Sequence, residues 1–260
     1  MSLSLIQKLN EILLAEQPAY RAQAAQVEKT ERAQRELLRA LMNVRPPRPL
    51  SEEFLRIQDE LLSAERKVRG VVDVMTLPAV PSDARIVLWQ GDITRLNADA
   101  IVNAANSALL GCFIPCHRCI DNAIHSAAGL QLRAACAALM EGQGHPEETG
   151  TVKITAGYNL PARHVLHTVG PIVSGALTEE HRQLLASCYR SCLALAAKHG
   201  LKSVAFCCIS TGEFHFPNAA AAEIAVREVR AFLAENTSVE RVVFNVFKDA
   251  DLHIYERLLL

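Results

Sequence analysis

An α/β layered domain, with helices on both faces of a sheet and a helical extension in front of it, is the fold class this sequence predicts. Three observations point there. From Arg85 onward, short apolar or alternating stretches take turns with long helical patterns, the grammar of a sheet covered by helices. Before about residue 80 there are helical patterns and no convincing strand. Half of the 260 residues are hydrophobic and 21% are charged, which is globular composition able to bury a sizeable core. The expected organisation is a helical N-terminal extension over 1–80 and the α/β domain over 81–260.

In the extension, Glu31 to Met42 carries Leu37, Leu38, Leu41 and Met42 at helical spacing. The stretch RPPRP, Arg45 to Pro49, breaks the chain, because consecutive prolines cannot continue a helix. Ser51 then reads as an N-cap, with Glu52 and Glu53 in the first turn and Phe54, Ile57, Leu61 and Leu62 as the apolar stripe. Such an extension packs on the main domain or, less readily, docks a protein. In the main domain RIVLWQG (85–91) and DAIVNAA (99–105) read as strands, and 121–142 as a helix ending in glycine. TVKITAG (151–157) and HVLHTVG (164–170) are strands, and 179–200 is a helix with glycine just past its end. SVAFCCIS (203–210) is a continuous apolar run, as expected in the middle of a covered sheet. A helix over 217–236 starts at proline, and ERVVFNVF (240–247) is the last strand.

The bulk properties exclude several function classes. A net charge of −1 leaves no electrostatic footprint for non-specific nucleic-acid binding. No apolar run is long enough to span a bilayer, and MSLSLIQKLN lacks the charged start and long apolar middle of a signal peptide. The expectation is a cytoplasmic protein with neither nucleic acid nor membrane as partner. In a reducing compartment its eight cysteines are core residues, metal ligands or catalytic groups rather than disulfides.

Ligands of such sheets sit beyond the carboxyl ends of the strands, and four segments fall there. In WQGDIT, Asp92 follows a strand directly; it suits an exocyclic amine, although locally the turn-capping use is the stronger reading. In VNAANSALLG, Asn103 and Asn106 offer donors and acceptors for sugar hydroxyls or a water, with turn chemistry again the stronger local reading. ISTGEFHFP lies between a buried strand and a helix N-terminus, whose free N–H groups and positive dipole end suit a phosphate or diphosphate. The fourth is LLGCFIPCHRCIDNAIH, which packs Cys112, Cys116, His117 and Cys119 as C-x3-C-H-x-C. Thiolate and imidazole are preferred zinc ligands, and three of them with an open position is a catalytic pattern, four a structural one. A redox use of Cys116–Cys119 is the weaker alternative. Asp121 starts the following helix, where an N-cap role alone would justify it, and His125 at i+4 can face it. Cys136, Cys188, Cys192, Cys207 and Cys208 read as small core hydrophobes.

Together QGDIT (90–94), VNAANSALLG (102–111), IDNAIHSAAG (120–129), TAGYNLPARHVLHTVGP (155–171) and ISTGEFHFP (209–217) resemble the macrodomains, ADP-ribose-binding proteins. Five ordered matches outweigh the local readings. The resemblance implies a three-layer α/β/α macrodomain with a mixed central sheet. NAANS and the Asp at the helix start resemble the hydrolytic, MacroD-type branch. One departure stands out: GCFIPCHRC replaces that branch's glycine-rich run. This is similar to the zinc-containing macrodomains, which also carry the helical extension, and it implies Zn2+ held by Cys112, His117 and Cys119, with Cys116 outside the set. It further implies Asp92 and the backbone at Ile93 on adenine; Ser210, Thr211, Gly212, Glu213 and Phe214 around the diphosphate; Asn106 at the distal ribose; and Asn103 and Asp121 orienting that ribose and a water. His215 stands where a glycine often follows the aromatic of this loop. The activity implied is zinc-dependent removal of mono-ADP-ribose from protein side chains at C1″ of the distal ribose. The subgroup is associated with a sirtuin-type ADP-ribosyltransferase and a lipoyl-carrier protein, so a modified carrier is an expected partner. The rival is a non-catalytic ADP-ribose reader with a structural zinc, for which Cys116 would be the fourth ligand.

Overall fold

The computed structural model describes residues 2–260. Four helices come first: α1 (Ser2–Glu16), α2 (Arg21–Ala25), α3 (Glu31–Val44) and α4 (Glu52–Arg69). Their apolar stripes close a small core of their own from Ile6, Leu9, Leu13, Leu38, Leu41, Met42, Phe54, Ile57 and Leu61. Leu130 of the main domain completes that cluster, so the extension is packed on its neighbour rather than tethered to it. Ser51 caps α4 by accepting the Phe54 N–H at 3.2 Å, as its position suggests. The proline break wraps around buried Arg45, whose guanidinium pairs with Glu16 and donates to the carbonyls of Pro46, Arg48 and Pro49.

The main domain is built on a six-stranded sheet. Its strands are β2 (Ile86–Gln90), β4 (Ala100–Ala105), β5 (Val152–Ala156), β6 (His164–Val169), β7 (Ser203–Phe206) and β8 (Arg241–Val246), in the order β2-β8-β7-β4-β6-β5. All neighbours are parallel except β5, which runs antiparallel to β6, so the sheet is mixed. A two-residue β1 (Val72–Asp73) pairs separately with β3 (Leu96–Asn97). Helices α5 (Ile120–Ala128) and α6 (Leu130–Gln143) pack on β4 and β5, whereas α7 (Glu179–Lys198), α8 (Asn218–Glu235) and α9 (Asp249–Leu259) pack in succession from β5–β6 across to β8–β2. Strand alternation shows that these are two faces. His167 of β6 reaches Cys136 of α6, while its neighbour Thr168 turns towards Cys188 of α7.

Four local outcomes differ from the sequence reading, the first being that the helices of the extension end at Arg69 and β1 lies within 1–80, where no convincing strand was expected. The helix expected over 121–142 is two helices, because the chain turns at Gly129 with φ +96°, where an added Cβ would lie 2.6 Å from the Gln131 side chain and 2.7 Å from that of Gln58. The strand expected over 203–210 stops at Phe206 and gives way to a loop. The C-terminal helix α9 was not anticipated.

One residue locks the extension to the sheet domain. Arg133 of α6 is buried and donates through Nη1 to the carbonyls of Met42, Asn43 and Arg45, and through Nε to Leu110. It thereby satisfies the free carbonyls at the C-terminal end of α3, where a cation also suits the helix dipole. Arg133→Met keeps the stem and leaves those buried acceptors bare. Each charge-assisted bond contributes about 1.5–3 kcal/mol, so a loss of roughly 3 kcal/mol or more is expected. A urea melt read against wild type checks it; an unchanged midpoint contradicts the assignment.

Candidate active site

The parallel strands deliver their functional residues to one edge. Asn103 of β4 and His167 of β6 are partners in the parallel register, so they face the same side at adjacent positions. Asn103 Nδ2 donates to Asp121 Oδ1 at 2.8 Å and lies 3.2 Å from His167 Nδ1. Its Oδ1 is buried without a protein partner. His167 is fully buried, its Nε2 2.9 Å from the Thr155 hydroxyl, and burial pushes its pKa down to about 3, so it is a neutral strut for the asparagine.

Asp121 lies in the first turn of α5, where the helix dipole favours an anion. Burial nevertheless pushes its pKa up to about 6, against the pull of the Asn103 hydrogen bond and the Arg133 charge. Its Oδ2 is 3.5 Å from Asn106 Nδ2, which also donates to the Gly111 carbonyl. Asn106 further accepts the Ala108 N–H, the turn contact its local sequence suggests. Asp121 Oδ1 approaches His125 Nε2 at 3.5 Å. This is not an ion pair: burial holds His125 neutral, helped by the charge of Arg133, and neither ring nitrogen has a protein hydrogen-bond partner. A cavity of about 10 Å³, the room of one water, lies against His125, Ser126, Asn43 and Arg133. Gly111 is required beside this histidine, because a Cβ at its φ of +80° would meet the ring at 2.9 Å.

The loop between Gly111 and α5 brings Cys112, His117 and Cys119 together, with their ligand atoms within 4.8 Å of one another. His117 Nδ1 is 3.6 Å from Cys112 Sγ, while its Nε2 faces Glu213 Oε1 at 3.7 Å. A ligand histidine whose second nitrogen meets a carboxylate is a usual arrangement at metals. Cys119 caps α5, its sulfur accepting the Asn122 N–H at 3.4 Å, so a thiolate there would lie on the helix N-terminus. Among the protein groups alone, burial pushes the Cys119 thiol up to about 12; a divalent cation inverts that balance, since a coordinating thiol is deprotonated. Cys116 is not in the cluster: its thiol donates to the Glu36 carbonyl at 3.4 Å. All eight cysteines are free. A second group, His125, Cys136 and His167, is equally close but fully buried beside the Arg133 cation, and both nitrogens of His167 are engaged within the protein.

Asp92 stands apart from this network. It caps the turn after β2, Oδ1 accepting the N–H and hydroxyl of Thr94, and Oδ2 lies 3.7 Å from Arg69. Ile93 beside it is buried. Three strand spacings separate β2 from β4, roughly 14 Å, so the edge suits an elongated ligand. Ser210, Thr211, Gly212, Glu213 and Phe214 form the loop between β7 and α8. Ser210 takes φ +64° and His215 φ +55°, and the Ser210 hydroxyl is buried without a protein partner. Gly170 is needed opposite, since a Cβ there would fall 1.9 Å from Ser210 Oγ. Among the described residues, four of the five non-glycine ones with positive φ, namely Leu109, Cys116, Ser210 and His215, lie in this loop or in the segment from β4 to α5, and such strain concentrates at functional sites. No signal in a single sequence announces those conformations. His167, Gly170 and Arg133 also escaped the sequence reading; the alternation HVLHTVG, with a histidine inside an apolar strand, was the one available hint for His167.

The chain matches the Macro domain family model over residues 102–225. A curated relative from Treponema medium, a "Protein-ADP-ribose hydrolase", is 53% identical over 253 residues and covers 96% of each chain. One of the same description from Staphylococcus aureus strain MSSA476 is 52% identical over 222 residues, covering 85% of this chain and 83% of its own. Among solved structures, the Trypanosoma brucei macrodomain in complex with ADP-ribose is similar with a TM-score of 0.67 and 36% identity, over 82% of this chain and 92% of that one.

Proposed function

The chain belongs to the macrodomain family, and from that premise we propose that it is a protein-ADP-ribose hydrolase that removes mono-ADP-ribose from modified side chains with zinc held by Cys112, His117 and Cys119. The observation that carries the reading is that the start of α5 joins the two groups, Cys119 of the three-ligand cluster capping the helix and Asp121 of the Asn103–Asp121 pair lying in its first turn. The donor set fits the metal: two sulfurs and an imidazole, a carboxylate behind the imidazole, and a helix N-terminus behind one sulfur. Cys112, His117 and Cys119 would hold the metal, and when bound it would contribute Lewis acidity at the distal ribose.

The protein's own groups do the rest. Asp92 and the Ile93 backbone hold adenine at the β2 end, and the 210–214 loop wraps the diphosphate, with the Ser210 hydroxyl free to donate to it. The distal ribose then falls at the β4 end, facing Asn103, Asn106 and Asp121. Cleavage at C1″ passes through oxocarbenium-like character, so water must be held on one face of the sugar while the side chain leaves from the other. The Asp121 carboxyl, whose pKa burial raises, is the group placed to accept a proton from that water. Asn103 fixes one of its oxygens, and the amide oxygen of Asn103 is left to accept from a ribose hydroxyl or the water. A reader needs no such pair. The orientation of Cys116 towards Glu36 supports an open, three-ligand site rather than a closed structural one.

The test is mass spectrometry of mono-ADP-ribosylated proteins, a lipoyl-carrier protein among them, before and after incubation with the purified enzyme. Release of ADP-ribose with restoration of the unmodified mass is expected. Tight binding of the modified protein without release would overturn the hydrolase in favour of a reader.

A further inference from the structure

The N-terminal extension lies outside the segment matched by the family model, yet one face of its helix α3 runs along the metal loop. Glu36, Arg39 and Asn43 fall at i, i+3 and i+7, so they share that face. The Glu36 carbonyl accepts from the Cys116 thiol. The Asn43 amide oxygen accepts the Cys116 N–H at 2.9 Å, pinning a residue whose φ is +53°. Arg39 donates through Nη2 to the His117 carbonyl at 3.0 Å and to Asn122 Oδ1 at 2.7 Å.

Asn122 is the pivot of this arrangement. Its N–H donates to Cys119 Sγ, its Nδ2 to the Ile114 carbonyl, and its Oδ1 accepts from Arg39 and from the Ser126 hydroxyl. Ser126 in turn accepts from Asn43 Nδ2, which closes a ring through Arg39, Asn122, Ser126 and Asn43. The loop from Cys112 to Arg118 contains no helix or strand, so these contacts from α3 supply much of the order that a preformed ligand set requires. We propose that α3 is a positioning element of the metal loop, with Arg39 and Asn43 as the positioning residues that hold His117 and Cys119 in ligating geometry. This rests on the zinc reading above.

The test uses full-length, zinc-loaded protein with Arg39→Ala, Arg39→Lys, Asn43→Ala and, as a control on the exposed side of the same helix, Arg32→Ala. Zinc affinity is read by competition with a chelator, ADP affinity by calorimetry, and kcat and KM on a modified protein. Arg39→Ala and Asn43→Ala are expected to weaken zinc by about 10–100-fold and to lower kcat, while ADP, which lacks the distal ribose, binds as before. Arg39→Lys restores zinc affinity only in part, because an ammonium cannot present the planar fork that spans His117 and Asn122. Arg32→Ala matches wild type throughout. Wild-type zinc affinity and kcat in Arg39→Ala would overturn the inference. So would a parallel fall of zinc affinity, ADP affinity and melting temperature, which would make α3 a structural prop only. A wild-type protein that binds no zinc overturns the zinc reading and this inference with it, and is distinguishable because it fails before any variant is made.

Discussion

Asp121→Asn is expected to lower kcat for ADP-ribose release by about 10²–10⁴-fold, the range over which a positioned general base acts. The substitution is close to isosteric, and an amide oxygen at position 121 can still accept from Asn103 Nδ2, so the network around Asn103 and His167 keeps its geometry. What is lost is the capacity to take a proton. Stability should not follow activity. The carboxyl is 5% exposed and burial opposes its charge, a cost the neutral amide removes, while its nitrogen gives up the long 3.5 Å contact with Asn106 Nδ2; the two effects oppose, so little net loss of stability is expected. The expected pattern is a collapsed kcat with a nearly unchanged melting temperature and unchanged affinity for ADP. A variant that retains kcat within about threefold, under 1 kcal/mol of barrier, would remove Asp121 from the chemistry.

Stripping the metal with a chelator, or replacing a ligand by Cys119→Ser, is expected to abolish turnover while leaving ADP binding intact. The separation follows from the layout. Asp92 takes its contacts from Thr94 and Arg69, and β2 lies three strand spacings from β4, so the proposed adenine end does not rest on the cluster, while the 210–214 loop touches it through Glu213, whose carboxylate faces His117 Nε2 at 3.7 Å. Cys119→Ser also preserves the cap on α5, since serine is itself a favoured N-cap; a loss of activity therefore cannot be assigned to an unravelled helix. Restoration of the chelated enzyme by added zinc, and not of Cys119→Ser, completes the expected result. Full activity of the chelated protein, verified metal-free by elemental analysis, would confine the cluster to a structural role.

Much of this architecture was legible in advance because it is local. Short apolar runs mark RIVLWQG, HVLHTVG and ERVVFNVF as strands of a sheet covered on both faces, and cap chemistry ahead of a 3.6-residue apolar repeat places Ser51 at a helix start. The side chains of Cys112, His117, Cys119 and Asp121 likewise stand within ten residues of sequence, and the structure brings the ligand atoms of the first three within 4.8 Å of one another. The split of 121–142 at Gly129 was not, because a lone glycine inside a helical pattern reads as a tolerated weak point until its φ is known.

Residue type and short spacing thus determined the fold class, the order of elements and the donor atoms available for a metal and a base. The tertiary structure decided which of those atoms meet. The parallel register puts Asn103 beside His167 across a separation of 64 residues, Arg39 reaches Asn122 across 83, and the turn of the loop sends Cys116 to Glu36 and away from its fellow cysteines. Such contacts carry no periodic signature, because they depend on the packing of whole helices and strands against one another rather than on the conformational preference of any stretch of chain.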